Sequence, residues 1–128
     1  MASVLLLDDD PEVREAIVTM LEDAGHEVRA AADGKLGLEY FRDARPDVVV
    51  TDIIMPHREG IETIRAMRAA DATVPIIAIS GGGRFRSVDF LTLSLQLGAS
   101  AALAKPFRAA ALLETIARLL APAESPPA

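Results

Sequence analysis

Five short runs of β-forming residues, at Val4–Leu7, Glu27–Ala30, Val48–Thr51, Pro75–Ser80 and Ala101–Ala104, alternate with helical patterns along the chain. The first, third and fourth runs carry consecutive Leu, Val or Ile rather than alternating apolar and polar residues. Strands covered on both faces of a parallel sheet read in that way. Strand and helix units repeated with short connections restrict the chain to an open, doubly wound α/β sheet with right-handed crossovers.

The intervening segments carry helix signals. Val13, Ile17, Met20, Leu21 and Ala24 follow the spacing of one buried helical stripe. Asp10-Pro11-Glu12 supplies an N-cap, a proline at the first helical position and an acid in the first turn. Gly25 closes that helix and Gly98 a later one. The last helix aligns Leu112, Leu113, Ile116, Leu119 and Leu120. Residues 1–121 are thus expected to form one domain, and 122–128, proline-rich and without large apolar residues, a flexible tail. Phe90–Leu97 resists the scheme, because leucines at 91, 93, 95 and 97 alternate with Thr92, Ser94 and Gln96 at strand period. A helix is still expected there, since a strand would follow another with only a loop between.

A chain of 128 residues, 51% of them hydrophobic, can bury a core without disulfides, and it has no cysteine. No apolar stretch reaches the roughly 18 to 20 residues that cross a bilayer, and no leader pattern opens the sequence. A soluble, cytoplasmic protein without membrane contact is expected. The formal charge of −6 disfavours direct binding to a phosphate backbone.

Ligands of open α/β sheets bind beyond the carboxyl ends of the strands. There the first strand ends in Asp8-Asp9-Asp10, the third in Asp52, the fourth in Ser80 and the fifth in Lys105. Crowded carboxylates repel one another unless a cation joins them, and oxygen ligands suit Mg²⁺ or a similar hard ion. A carboxylate is also a nucleophile toward phosphorus, and a divalent ion, Lys105 and the Ser80 hydroxyl can balance the charge that develops on the phosphoryl oxygens. Singly, each residue has a plainer role: Asp10 as helix cap, Asp8 or Asp9 as solvated turn residues, Ser80 as turn-former, Lys105 as surface lysine. His26 and His57 lack ligand-like spacing and read as surface histidines; Arg84 and Arg86 read as solvated loop residues. Only the joint placement at four strand ends carries the chemistry.

Val4-Leu-Leu-Leu-Asp8-Asp9, Asp52-Ile-Ile-Met55-Pro56 with Gly60, Ser80-Gly81 and Lys105-Pro106-Phe107 together resemble the receiver domain of two-component response regulators, over about Val4 to Leu120. The resemblance implies a flavodoxin-like (βα)5 fold with strand order 2-1-3-4-5. It implies that Asp52 is the phosphoacceptor, and that Asp9, Asp52 and the Ile54 carbonyl bind Mg²⁺ or Mn²⁺, with Asp8 acting mainly through water. It further implies that Ser80, Gly81 and Lys105 serve the phosphoryl group, that Ser80 shifts on activation, and that the bond before Pro106 is cis. The expected donor is a histidine kinase or a histidine phosphotransfer protein. Output is expected through an unidentified downstream protein, in a chain that acts as a stand-alone regulator and is no enzyme beyond its own phosphorylation and dephosphorylation.

Three departures from the family pattern stand out. Ala102 occupies the switch position where the family often carries Tyr or Phe, so no aromatic ring can swing inward there. The Ser80-Gly-Gly-Gly83 loop with Arg84-Phe-Arg86 looks longer than usual. Ile54 and Gly82 offer no side chain to position a water, which predicts a long-lived phosphoryl group. The leucine-rich 90–97 segment, the small-residue strand and the last helix, spanning 90–120, are either core or a partner or homodimer face. Two other functions compete. A phosphorylation-independent binding module would share the fold. A haloacid-dehalogenase-like phosphotransferase would use Asp8, Asp10, Ser80 and Lys105 and leave Asp52 idle.

Overall fold

The computed structural model describes residues 2–53, 59–80, 92, 95–105 and 107–121, the side chains of 59, 60 and 80 excepted. Its elements run β1 (Ser3–Leu7), α1 (Pro11–Asp23), β2 (Glu27–Ala31), α2 (Gly34–Asp43), β3 (Val48–Asp52), α3 (Glu59–Ala70), β4 (Ile76–Ser80), β5 (Ala101–Ala104) and α4 (Ala109–Leu120). Thr92 and residues 95–97, between β4 and β5, are helical as well. The five strands form one parallel sheet in the order β2-β1-β3-β4-β5, the order that the family resemblance implies.

Successive strand residues point to opposite faces, and the consecutive apolar runs therefore build two cores. Leu5, Leu7, Val49, Ile76 and Ala78 meet Phe41 of α2 and Ile64 and Met67 of α3 on one side. Val4, Leu6, Val48, Val50, Ile77 and Ile79 meet Ile17 and Leu21 of α1 and Leu112 and Ile116 of α4 on the other. β3 lies in the middle and is buried throughout, whereas the edge strand β2 exposes every second residue up to Arg29. This difference explains why Glu27–Ala31 reads as the least hydrophobic of the strands.

The caps behave as the local sequence dictates. The Asp10 carboxylate accepts from the Glu12 and Val13 amides, at 2.9 and 3.4 Å, with Pro11 at the first helical position. Asp33 caps α2 through the Leu36 amide. Gly25 takes φ +91°, the left-handed conformation that ends α1 at little steric cost. The chain leaves the helix axis at this turn, so Ala24, expected at the end of the buried stripe, is instead the exposed C-cap.

His26, expected on the surface, is half-buried. Its Nδ1 accepts a hydrogen bond from the Ala2 amide at 3.1 Å, because β2 starts beside the residue that precedes β1 and the Glu27 amide donates to the Ala2 carbonyl. The helical state of Thr92 and 95–97 agrees with the helix expected over Phe90–Leu97, whose other residues lie outside those described. Leu97 packs against the first core, while Leu95 is 55% exposed, so this segment divides between core and surface.

Candidate functional site at the carboxyl edge

Strand register assembles the site. Leu7 pairs with Ala31 on one side and Thr51 on the other, Asp52 with Ile79, and Ser80 with Ala104. The residue after β1, the last residues of β3 and β4, and the residue after β5 therefore lie along one edge. Asp8, Asp52, Ser80 and Lys105 occupy those places.

Asp8 is fully buried, a position a carboxylate tolerates only when its atoms are paired. Its Oδ2 lies 2.9 Å from the Lys105 ammonium, and its Oδ1 accepts from the Asp10 amide at 2.9 Å. Its own amide donates to the Ala31 carbonyl, and its carbonyl accepts from Arg14 Nη1 at 2.9 Å. Asp8 is therefore held from four sides and is no solvated turn residue. Asp9, next in the chain, is exposed.

Lys105 also reaches Asp52 Oδ2 at 3.0 Å. Burial by itself pushes the lysine pKa down, but the hydrogen bonds and negative charges of Asp8 and Asp52 outweigh that effect and hold it above the ordinary value. The ammonium stays charged through the whole physiological range. Asp52 is buried at the end of the central strand, where the Thr51 hydroxyl donates to its carbonyl.

Carboxylate oxygens of Asp8, Asp9 and Asp52 lie within 4.8 Å of one another. Three carboxylates against one ammonium leave the cluster net negative, and the donors are all hard oxygens. This set fits Mg²⁺ or Mn²⁺ and does not suit a soft thiophilic metal. Asp10 lies outside the cluster with its carboxylate spent on the α1 cap, which removes a residue that the dehalogenase-like reading requires.

Of the residues singled out from the sequence, the structure brings together Asp8, Asp9, Asp52 and Lys105 and places Ser80 beside Ala104 in the strand register. Ala102 is half-buried against the first core. Ile54, His57, Gly81, Gly82, Arg84, Arg86, Pro106 and the tail lie outside the described residues, as does the Ser80 side chain. Sequence reading missed Arg14. Its position next to Val13 of the buried stripe, on the first turn after the acidic run, was the available signal.

The chain matches the response regulator receiver domain family over residues 4–117. It is 39% identical over 117 residues to the transcriptional regulatory protein CseB of Streptomyces coelicolor, covering 91% of this chain and 48% of that protein. It is 38% identical to the transcriptional regulatory protein PrrA of Mycobacterium leprae, covering 91% and 49%. The chain thus spans about half the length of the curated relatives it matches. Among solved structures, the chemotaxis protein CheY4 of Vibrio cholerae is similar at a TM-score of 0.84 and 35% identity, covering 94% of this chain and 99% of that one. A receiver domain protein of Clostridium thermocellum is similar at 0.84 and 30%, covering 94% of each. Relatives described as transcriptional regulators give no support to the expectation that nucleic acid is not a partner; the acidity argument applies to these residues alone.

Proposed function

Since the chain belongs to the response regulator receiver family, we propose that it stores a signal as a phosphoryl group on Asp52, taken from a phosphohistidine on a kinase or phosphotransfer protein. One observation carries the reading: the Lys105 ammonium bridges Asp8 and Asp52 while Asp9 stands beside them at the same edge. In the transfer, an Asp52 carboxylate oxygen forms a bond to phosphorus as the phosphorus–nitrogen bond breaks. The donor imidazole leaves with that electron pair and takes up a proton.

Asp9, Asp52 and the Ile54 carbonyl would hold Mg²⁺ or Mn²⁺, with Asp8 acting through water because both its oxygens already have partners. The ion supplies charge neutralisation for the carboxylates and the phosphoryl oxygens. Lys105 neutralises a phosphoryl oxygen, and the Ser80 hydroxyl and the small Gly81 accommodate the group, with Ser80 shifting toward it. Ala102 leaves propagation to backbone and helix movement. The exposed Leu95 supports a partner or dimer face along 90–120, and the downstream partner receives the signal there. With Ile54 and Gly82 unable to position a water, the phosphoryl group is long-lived; a half-life of only seconds would contradict that.

Intact mass spectrometry with a small phosphodonor and Mg²⁺ tests the proposal. Wild type should gain a single phosphoryl mass, and Asp52→Ala should gain none. Failure of wild type to be modified would leave a receiver-fold module that signals without phosphorylation.

A further inference from the structure

The contact missed in the sequence leads beyond the acceptor chemistry. Asp9 is exposed and, among the described residues, its carboxylate has no hydrogen bond or ion pair. Its aim toward Asp52 is set by the two peptide groups that flank it. The preceding carbonyl, of Asp8, is fixed by Arg14 Nη1 at 2.9 Å. The following amide, of Asp10, is fixed by Asp8 Oδ1 at 2.9 Å. Both anchors lead to rigid structure: Arg14 stands in the first turns of α1, and Asp8 is buried under Lys105.

We infer that Arg14 is a positioning residue for the cation site, holding the Asp8–Asp9 peptide plane so that Asp9 is presented for metal binding before the ion arrives. The inference rests on the proposed Mg²⁺-dependent chemistry at Asp52. A guanidinium suits the task, because it stays charged at all relevant pH values and its planar fork loses little freedom per hydrogen bond formed. Partners that orient metal ligands, without touching the metal themselves, commonly govern affinity by 10- to 100-fold.

The sign of the effect separates positioning from simple charge. Arg14 is cationic, so a purely electrostatic role would repel a divalent ion, and its removal would tighten binding. A positioning role predicts weaker binding. The experiment titrates Mn²⁺ into the unphosphorylated protein and follows free Mn²⁺ by electron paramagnetic resonance, with circular dichroism as the check of fold. Arg14→Met should raise the dissociation constant about tenfold. The Mg²⁺ half-saturation of Asp52 phosphorylation should rise in parallel, while the rate at saturating Mg²⁺ stays within about twofold of wild type.

Arg14→Gln, which keeps an uncharged donor on a shorter arm, should shift binding in the same direction by less, and it serves as the measurement should the Met variant fail to fold. Unchanged or tighter binding in either folded variant overturns the inference. Absence of both Mn²⁺ binding and phosphorylation in wild type would instead overturn the proposed function on which it rests.

Discussion

The Lys105 ammonium lies 2.9 Å from Asp8 Oδ2, tying the ends of the first and last strands across 97 positions of sequence. The same nitrogen is 3.0 Å from Asp52 Oδ2, so one cation closes the carboxyl edge of the sheet. A phosphoryl group on Asp52 would add negative charge where the ammonium already stands. Lys105 then needs only to exchange a carboxylate oxygen for a phosphoryl oxygen, a short move that keeps its charge paired throughout.

Replacing that lysine should affect both chemistry and stability. Lys105→Met should slow phosphorylation of Asp52 by about 10²- to 10³-fold, the usual effect of removing one preorganised stabiliser of developing charge. The raised Lys105 pKa also fixes a sign. Its contribution to stability is fully present below the unfolded-state value of about 10.5 and is lost as pH rises through the higher folded-state value. Urea denaturation at pH 9 and pH 11.5 should therefore show a larger alkaline loss in wild type than in Lys105→Met. Equal losses would show that the pairing has no thermodynamic weight.

The adjacent acids should separate cleanly. Asp8→Asn breaks a buried ion pair and should cost about 2 kcal/mol, less than a fully isolated pair because Lys105 retains Asp52. Asp9→Asn removes an exposed like charge and should change stability by no more than about 0.5 kcal/mol. Both should weaken Mg²⁺ binding. Chemical denaturation with and without Mg²⁺ reads the two effects; equal destabilisation by the two variants would contradict the burial difference described above.

The sheet and the site were legible in the sequence for a common reason. Buried parallel strands need unbroken apolar runs, and such runs stop where the chain reaches solvent, so the polar residue that ends each run marks the ligand edge. Asp8, Asp52 and Lys105 were found that way. Burial of the whole Asp8 side chain was not legible, because it follows from Lys105 folding back from a strand three places away in the sheet. Arg14 was hidden for a related reason: its partner is a backbone carbonyl, which leaves no chemical trace in the identity of Asp8. His26 was misread because its partner is the amide of Ala2, brought near only by the β1–β2 pairing.

Arg68 gives a third prediction. Its guanidinium donates to the Gly98 carbonyl from Nε and Nη2, at 3.0 and 2.7 Å, and to the Val74 carbonyl at 2.7 Å. A further bond runs to the Asp71 carbonyl. One side chain thus joins the end of α3, the turn into β4 and the turn into β5. Desolvation lowers the Arg68 pKa only against a very high starting value, so the charge persists. Arg68→Met should cost about 2–3 kcal/mol by leaving partly buried carbonyls without donors. Hydrogen exchange should accelerate at Ser100, whose amide bonds the Ile76 carbonyl, before it does in β1. Uniform acceleration across the sheet would contradict the local role.

The contact of α2 with β1 depends on the absence of a side chain at Gly37. A β-carbon built there overlaps Leu7 Cδ2 and stands 2.7 Å from Leu7 Cγ, and Leu7 is fully buried in the first core. Alanine in a helix interior is ordinarily favoured over glycine by about 1 kcal/mol, yet overpacking a dense core costs about 1–3 kcal/mol or more. Gly37→Ala should therefore be net destabilising by about 1–2 kcal/mol. Leu7→Ala alone should cost about 2–5 kcal/mol through the cavity it leaves. In the Leu7→Ala background the obstruction is gone, and Gly37→Ala should become neutral or stabilising. Chemical denaturation of the four proteins measures the coupling directly. Additive costs would mean that the helix yields to the methyl group without pressing on Leu7, and the close approach would then impose no constraint on the sequence.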